Sequence, residues 1–302
     1  MENNCYFVSS RGLLKSCDFH SLKPTSSCNN DKTYLIEMIN NNKMFDGMLI
    51  YVCSDLLKYF VNNILSKILH TFVLVSGDSD LCVPIEALSQ KETIQLINSP
   101  YLLKWFAQNT RIQNNDKMAQ MPIGLDYHTI FNNPNCNWCL SEEGKLPLEQ
   151  ENILQNIISN TKQFYERIPK IYVNFSTRND RFKQRNTSLK TIPKYLMEIN
   201  QKFTPRTENW KKMTKYSFVL SPFGQGMDCH RTWEALCLGC IPIICAPDFQ
   251  KMFEDLPVLI IDDWGQINEK LLNETINIFK DTKFNYDKLT LQYWKHKIQK
   301  YK

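Results

Sequence analysis

No stretch of this sequence approaches the roughly 20 consecutive apolar residues needed to cross a bilayer. The opening MENNCYFVSS also lacks the basic segment and apolar core of a secretory signal. The expectation is a soluble, cytoplasmic protein whose Asn-x-Ser/Thr sequons at Asn174, Asn186 and Asn273 stay unmodified. Basic runs interleaved with aromatics are missing, which excludes a nucleic-acid platform of the usual kind. The net charge of +5 is spread along the chain and by itself suits an anionic small ligand as well as a nucleic acid. A strict G-x-G-x-x-G is absent, and so is the Walker lysine. Cysteine is plentiful, 11 residues, but zinc-ribbon spacing is not found. The pairs Cys136/Cys139 and Cys237/Cys240 stand far apart, and the second straddles a predicted helix end. Cys53, Cys82, Cys237, Cys240 and Cys245 lie in apolar runs, where a free thiol packs as a small hydrophobe. Neither a metal site nor a disulfide framework is expected.

What remains is a composition of 43% hydrophobic and 22% charged residues over 302 positions, enough for two ordinary globular domains. The run Lys215 to Asp263 organises the rest. Tyr216 to Leu220 is aromatic and β-branched and predicts a buried strand. A loop with Pro222, Gly224 and Gly226 follows, where backbone can approach a ligand closely. Asp228 is the expected N-cap of a helix over Cys229 to Leu238, and Gly239 its stop. Trp233, Leu236 and Cys237 share the apolar face, with His230, Arg231 and Glu234 opposite. Strands over Cys240 to Cys245 and Val258 to Ile261 complete one winding of a parallel α/β sheet.

A helix N-terminus fed by such a loop attracts phosphate, and Arg231 adds a two-pronged grip on its oxygens. Glu234, one turn on, can accept from a ribose diol. Together these residues suggest a nucleotide-sugar; a capped surface helix with an Arg231–Glu234 ion pair accounts for the same spacing.

Ser221, Pro222, Gly224, Arg231, Glu234, Ala235, Gly239, Cys240, Ile241 and Pro242 together resemble the donor-binding segment of exostosin-like glycosyltransferases, a GT-B family. Asp255 to Trp264 continues the likeness, and WFAQN and PIGLDYHT resemble that family's amino-terminal half. The resemblance implies an α/β GT-B fold: two Rossmann-like domains facing each other across a cleft. The expected boundaries are 1–168 for an acceptor domain, 169–283 for a nucleotide-sugar domain and 284–302 for a last helix packing back on the first domain, with Trp294 as its anchor.

Read in order, Tyr6 to Ser9 predicts a strand followed by the polar turn Ser10-Arg11-Gly12; Arg11 can face a cleft or be a plain surface arginine. Helices are predicted over Lys32 to Asn40, Ser54 to Leu69 and Glu86 to Ile97, and strands over Met48 to Cys53, Thr71 to Val75 and Leu102 to Ala107. Asp78 and Asp80, in a turn after a strand, are placed for chemistry, for hydroxyl binding or for an Asx turn. Asp126 and His128 follow a second strand end and are candidate general bases, though a lone histidine such as His128 also suits a structural place. Further helices are expected over Glu149 to Arg167, Thr187 to Asn200, Glu208 to Lys215, Ile267 to Lys280 and Tyr286 to Lys300. The loop after Lys170 to Asn174 carries Arg178, Arg181 and Arg185, a second phosphate clamp or a solvated basic loop; in the family a basic residue here contacts the donor diphosphate.

The function so implied is transfer of a sugar from a nucleotide diphosphate-sugar, a UDP-sugar by preference, to a hydroxyl of a glycan or protein acceptor. Catalysis is expected from Asp78, Asp80, Asp126 or His128. Donor binding is expected from Arg178, Arg181, Arg185, Ser221, Gly224, Gly226, His230, Arg231 and Glu234. No cofactor is expected, and no DxD occurs beyond Asp78-Ser79-Asp80. The position eight before Glu234 is Gly226, not the acid of retaining GT-B enzymes, so inversion is favoured. A hydrolysing nucleotide-sugar 2-epimerase and an inactive nucleotide-sugar-binding protein are the alternatives.

Overall fold

The structure, a computed structural model, describes residues 1–24, 31–111, 115–140, 143–178, 180–200 and 202–302. It contains two compact units, Val8–Ile123 with Leu291–Lys302, and Met1–Phe7 with Gly124–Thr290.

In the first unit β1 (Met48–Cys53), β2 (Phe72–Gly77), β3 (Leu102–Ala107) and β4 (Met118–Gln120) form a parallel sheet in that order. Every residue of β1 and β2 is buried, because a parallel sheet is covered on both faces. The covering core includes Leu35, Phe60, Ile64, Leu96 and Trp105. Helix Leu291–Gln299 packs here against helix Ser10–Leu14, with Trp294 buried.

Two expectations fail in this unit's sequence neighbourhood. Tyr6 to Ser9 is no strand: Phe7 makes one antiparallel bridge to Thr290, and Ser9 caps helix Ser10–Leu14 by accepting from the Gly12 amide at 3.0 Å. The helix predicted over Ser54 to Leu69 is instead a 3₁₀ turn, one α turn, a π turn over Phe60–Ile64 and another 3₁₀ turn. Its buried residues come as Leu56/Leu57, Phe60/Val61, Ile64/Leu65 and Ile68, a spacing of four. An α-helix repeats every ~3.6 residues, so a wider turn keeps these pairs on one buried face.

The second unit holds β5 (Ile168–Val173), β6 (Met197–Ile199), β7 (Tyr216–Leu220), β8 (Ile241–Ile244) and β9 (Leu259–Ile260), all parallel in the order β6-β5-β7-β8-β9. Edge strand β6 lies where a helix was expected: the helix is confined to Gln184–Thr191, ahead of Pro193, and the chain then pairs Met197 with Ile171. The predicted winding is present as β7, helix His230–Cys237 and β8, with Phe218 paired to Ile241. Gly239 at φ +67° ends the helix as expected. Asp228 is not its N-cap. Cys229 occupies that position without a side-chain cap, and both Asp228 oxygens accept from buried Trp233 Nε1, at 2.9 and 3.0 Å.

This unit begins again at Gly124, and the described residues between there and β5 belong to it. Helix Pro147–Ser159 packs on helix Arg206–Met213, and Glu151 accepts from the amides of Tyr6 and Phe7 at 2.8 and 2.9 Å. The α/β class and the two Rossmann-like parallel sheets are as expected. Among the described residues no helix is long and apolar enough to cross a membrane.

Candidate functional site

The carboxyl ends of β5 and β7 meet the start of helix His230–Cys237, the end of a parallel sheet where ligands bind. β5 delivers Asn174 and Phe175. β7 delivers Ser221, whose hydroxyl bonds Thr232 Oγ1 at 2.8 Å and ties the loop to the helix. Gly224 donates to Gly226 O at 3.0 Å, which folds the loop back on itself. Arg185 crosses between the loops, donating through Nε to Phe223 O at 3.2 Å and through Nη1 to Ser176 O at 2.7 Å. A Cβ at Gly224 would stand 2.6 Å from Arg185 Nη2, so glycine there makes room for the guanidinium.

Arg231 Nε donates to Asn174 Oδ1 at 2.9 Å. Its guanidinium lies 5.2 Å from the Phe175 ring centre, and that of Arg185 lies 5.6 Å from the same ring. Neither cation has a carboxylate at ion-pair distance among the described residues. Arg231 Nη1 is buried and has no hydrogen-bond partner among the described residues. Burial, and then the Arg185 charge, lower the Arg231 pKa to about 10 against the opposing pull of Cys229 and Glu234. Two like charges on one ring with a spare donor make a site that an anion would relieve. Arg181 is exposed and donates to Gln225 O at 3.3 Å, and Arg178 is exposed on the same loop.

Behind the helix lies a network the sequence does not announce. Arg206, 7% exposed, opens helix Arg206–Met213 and stacks over Trp210 at 5.3 Å. Its Nε meets Glu234 Oε1 at 3.2 Å, its Nη2 stands 3.8 Å from Asp126 Oδ2, and its Nη1 donates to Gln150 Oε1 at 3.0 Å. Asp126, 4% exposed, also accepts from the Thr129 amide at 2.9 Å and lies 3.2 Å from His128 Nδ1. Burial alone would raise the Asp126 pKa; His128, His230, Arg206 and the Thr129 amide outweigh it and hold the carboxyl well below the usual range. A carboxylate so stabilised is a poor proton acceptor. It stands beside the His128 ring instead, with Asp126 Oδ1 facing Nδ1. The His230 ring centre is 6.0 Å from that of His128, and its Nδ1 contacts Gly124 O at 2.7 Å.

Glu234 is therefore not simply aimed at a ligand: one of its oxygens is taken by Arg206, and the i, i+3 pair with Arg231 is not formed. Asp78 and Asp80 belong to the other unit. Asp78, at φ +58°, is buried against Arg11 at 3.1 Å, so Arg11 is neither cleft-facing nor a surface arginine but half of an internal ion pair. Asp80 is exposed.

Arg206, Gln150 and Phe175 were not singled out in the sequence. Arg206 follows Pro205 and precedes Trp210 by one helical turn, the only local signal it offers. Phe175 is an aromatic two residues past the end of β5, in a largely polar loop.

No family model matches the chain, and no curated protein does, so the exostosin resemblance rests on the residues quoted for it. Among solved structures, the chain is similar to a crystal structure of alpha1,3-fucosyltransferase with GDP-fucose: 14% identity, 96% of this chain and 94% of that one, TM-score 0.36. So loose a superposition carries no argument about this chain.

Proposed function

We propose that this protein is a glycosyltransferase of GT-B type that takes its sugar from a nucleotide diphosphate-sugar. The observation that carries the reading is the pair Arg185 and Arg231 on one Phe175 ring, with Arg231 Nη1 lacking a partner beside a helix N-terminus. Such a site meets the charge of a departing diphosphate, which is where transfer of a glycosyl group needs stabilisation. Arg181 and Arg178 extend the positive loop, and Gly224 and Gly226 keep it close to the ligand. His128, held by Asp126, is the proposed general base; Asp126 itself is not. The preferred donor is a UDP-sugar, transferred with inversion to a hydroxyl acceptor and without a metal ion.

A thermal-shift screen of nucleoside diphosphates and their sugars tests this, since a ligand that binds the folded state alone raises the midpoint. The expected outcome is stabilisation by at least one nucleoside diphosphate. Mass spectrometry of the stabilising donor then separates the readings: transfer to an acceptor supports the enzyme, free nucleotide and sugar without acceptor support the epimerase, and an intact donor supports a binding protein. No stabilisation by any nucleotide overturns all three.

A further inference from the structure

The pair Cys136 and Cys139 plays no part in the sugar chemistry, yet its surroundings differ from those of every other described thiol. The Cys139 amide donates to Cys136 O at 3.2 Å, closing a four-residue turn with Asn137 and Trp138 at its tip. Such a turn holds its end Cα atoms within about 7 Å, inside the range a disulfide spans. Both thiols are partly exposed. Lys145 Nζ lies 3.1 Å from Cys139 Sγ, while Leu140 O, 3.2 Å from that sulfur, also accepts from Lys145 Nζ at 2.6 Å. The Lys145 ammonium is therefore placed to pair with the sulfur of Cys139 when it attacks.

The remaining described cysteines are shielded. Cys5, Cys17, Cys53, Cys82, Cys237 and Cys240 are buried, and although Cys229 and Cys245 are partly exposed, burial pushes both thiols up. Nor do Cys136 and Cys139 belong to a metal cage: among the described residues no group of three or more His, Cys, Asp or Glu is placed to hold an ion.

We propose that Cys136 and Cys139 form a reversible dithiol–disulfide site for low-molecular-weight disulfides, with Cys139 as the attacking sulfur, Lys145 as the group that stabilises its thiolate and Cys136 as the resolving thiol. The Cys139 thiolate attacks one sulfur of the disulfide, breaks its S–S bond, forms a mixed disulfide and expels one small thiolate. Cys136 loses its proton to solvent and attacks Cys139 Sγ, expelling the second. Two protein thiols are oxidised, and one small disulfide is reduced to two thiols. The turn is not remote from the buried network: the carbonyl of Trp138, which lies between the two cysteines in sequence, accepts the Arg206 amide at 2.8 Å.

The test is incubation of the folded protein with oxidised glutathione, followed by alkylation and peptide mass spectrometry. The expected product is an internal disulfide, two hydrogens lighter, confined to the peptide with Cys136 and Cys139 and reversed by reduced glutathione. Cys136→Ser should stop at a stable glutathione adduct on Cys139. Lys145→Met should slow that adduct several-fold at neutral pH, with the gap closing above pH ~8.5, where an unassisted thiol ionises. Modification of Cys229 and Cys245 should be at least about tenfold slower. The proposal is overturned if both turn thiols stay fully alkylatable, if Cys229 or Cys245 reacts as fast, or if Cys139→Ser leaves the adduct on Cys136 at the wild-type rate. None of these readouts depends on a nucleotide.

Discussion

Arg206 and Arg231 lie in one unit, on elements that flank the same strand, and the chain uses them in opposite ways. Arg206 stacks on Trp210 and its donors go to Glu234, Asp126 and Gln150. Arg231 stacks on Phe175 beside a second cation, and among the described residues it bonds the neutral Asn174 and keeps a buried donor unspent. A buried cation with internal anions is part of the scaffold. A cation without them, next to another, is a site built at a cost to the empty protein, and its partner must come from outside.

Removing Arg206 should have the largest effect. Arg206→Ala leaves Asp126 and Glu234 buried without their shared cation and should lower stability by about 3–5 kcal/mol in urea denaturation, against less than about 0.5 kcal/mol for Arg231→Ala. Equal losses would erase the distinction between the two.

The acid side of stability should come next. The Asp126 carboxyl is held below its unfolded value, so its contribution is complete above pH ~4 and is lost as pH falls below that. Wild-type protein should therefore destabilise more steeply than Asp126→Asn in that range, as followed by denaturation midpoints against pH. Parallel curves would mean that Arg206 and the histidines do not hold this charge.

Gly224→Ala should do least. The added Cβ clashes with the far end of the Arg185 side chain, which can swing aside, and otherwise makes ordinary contact with Cys229 Sγ at 3.6 Å, so the fold should persist. Nucleotide affinity should fall by a few-fold, about 1 kcal/mol, measured by calorimetry. An unchanged affinity would leave Arg185 outside the site.

The winding around Arg231 was legible in the sequence because local signals agree there: an aromatic and β-branched strand, glycines in the loop and a glycine stop at Gly239. Arg231 stood out by its place in the first turn of the expected helix, and Arg185 by the arginines that follow β5. The Arg206 network did not. Its members, at 126, 128, 150, 206, 230 and 234, are joined by packing between helices, which no short window of sequence encodes. Asp228 misled because a side chain suited to capping found a stronger claim in the buried Trp233 indole. Edge strand β6 was missed because three residues carry too little pattern to outweigh the helical run before them.

The most direct measurement is calorimetric titration of UDP and of uridine into wild-type protein and into the Arg185→Ala/Arg231→Ala double variant. The two cations predict that wild-type protein binds UDP far more tightly than uridine, and that the double variant loses most of that difference while staying folded. If UDP binds both proteins equally well, the paired arginines do not hold a diphosphate and the proposed activity loses its support.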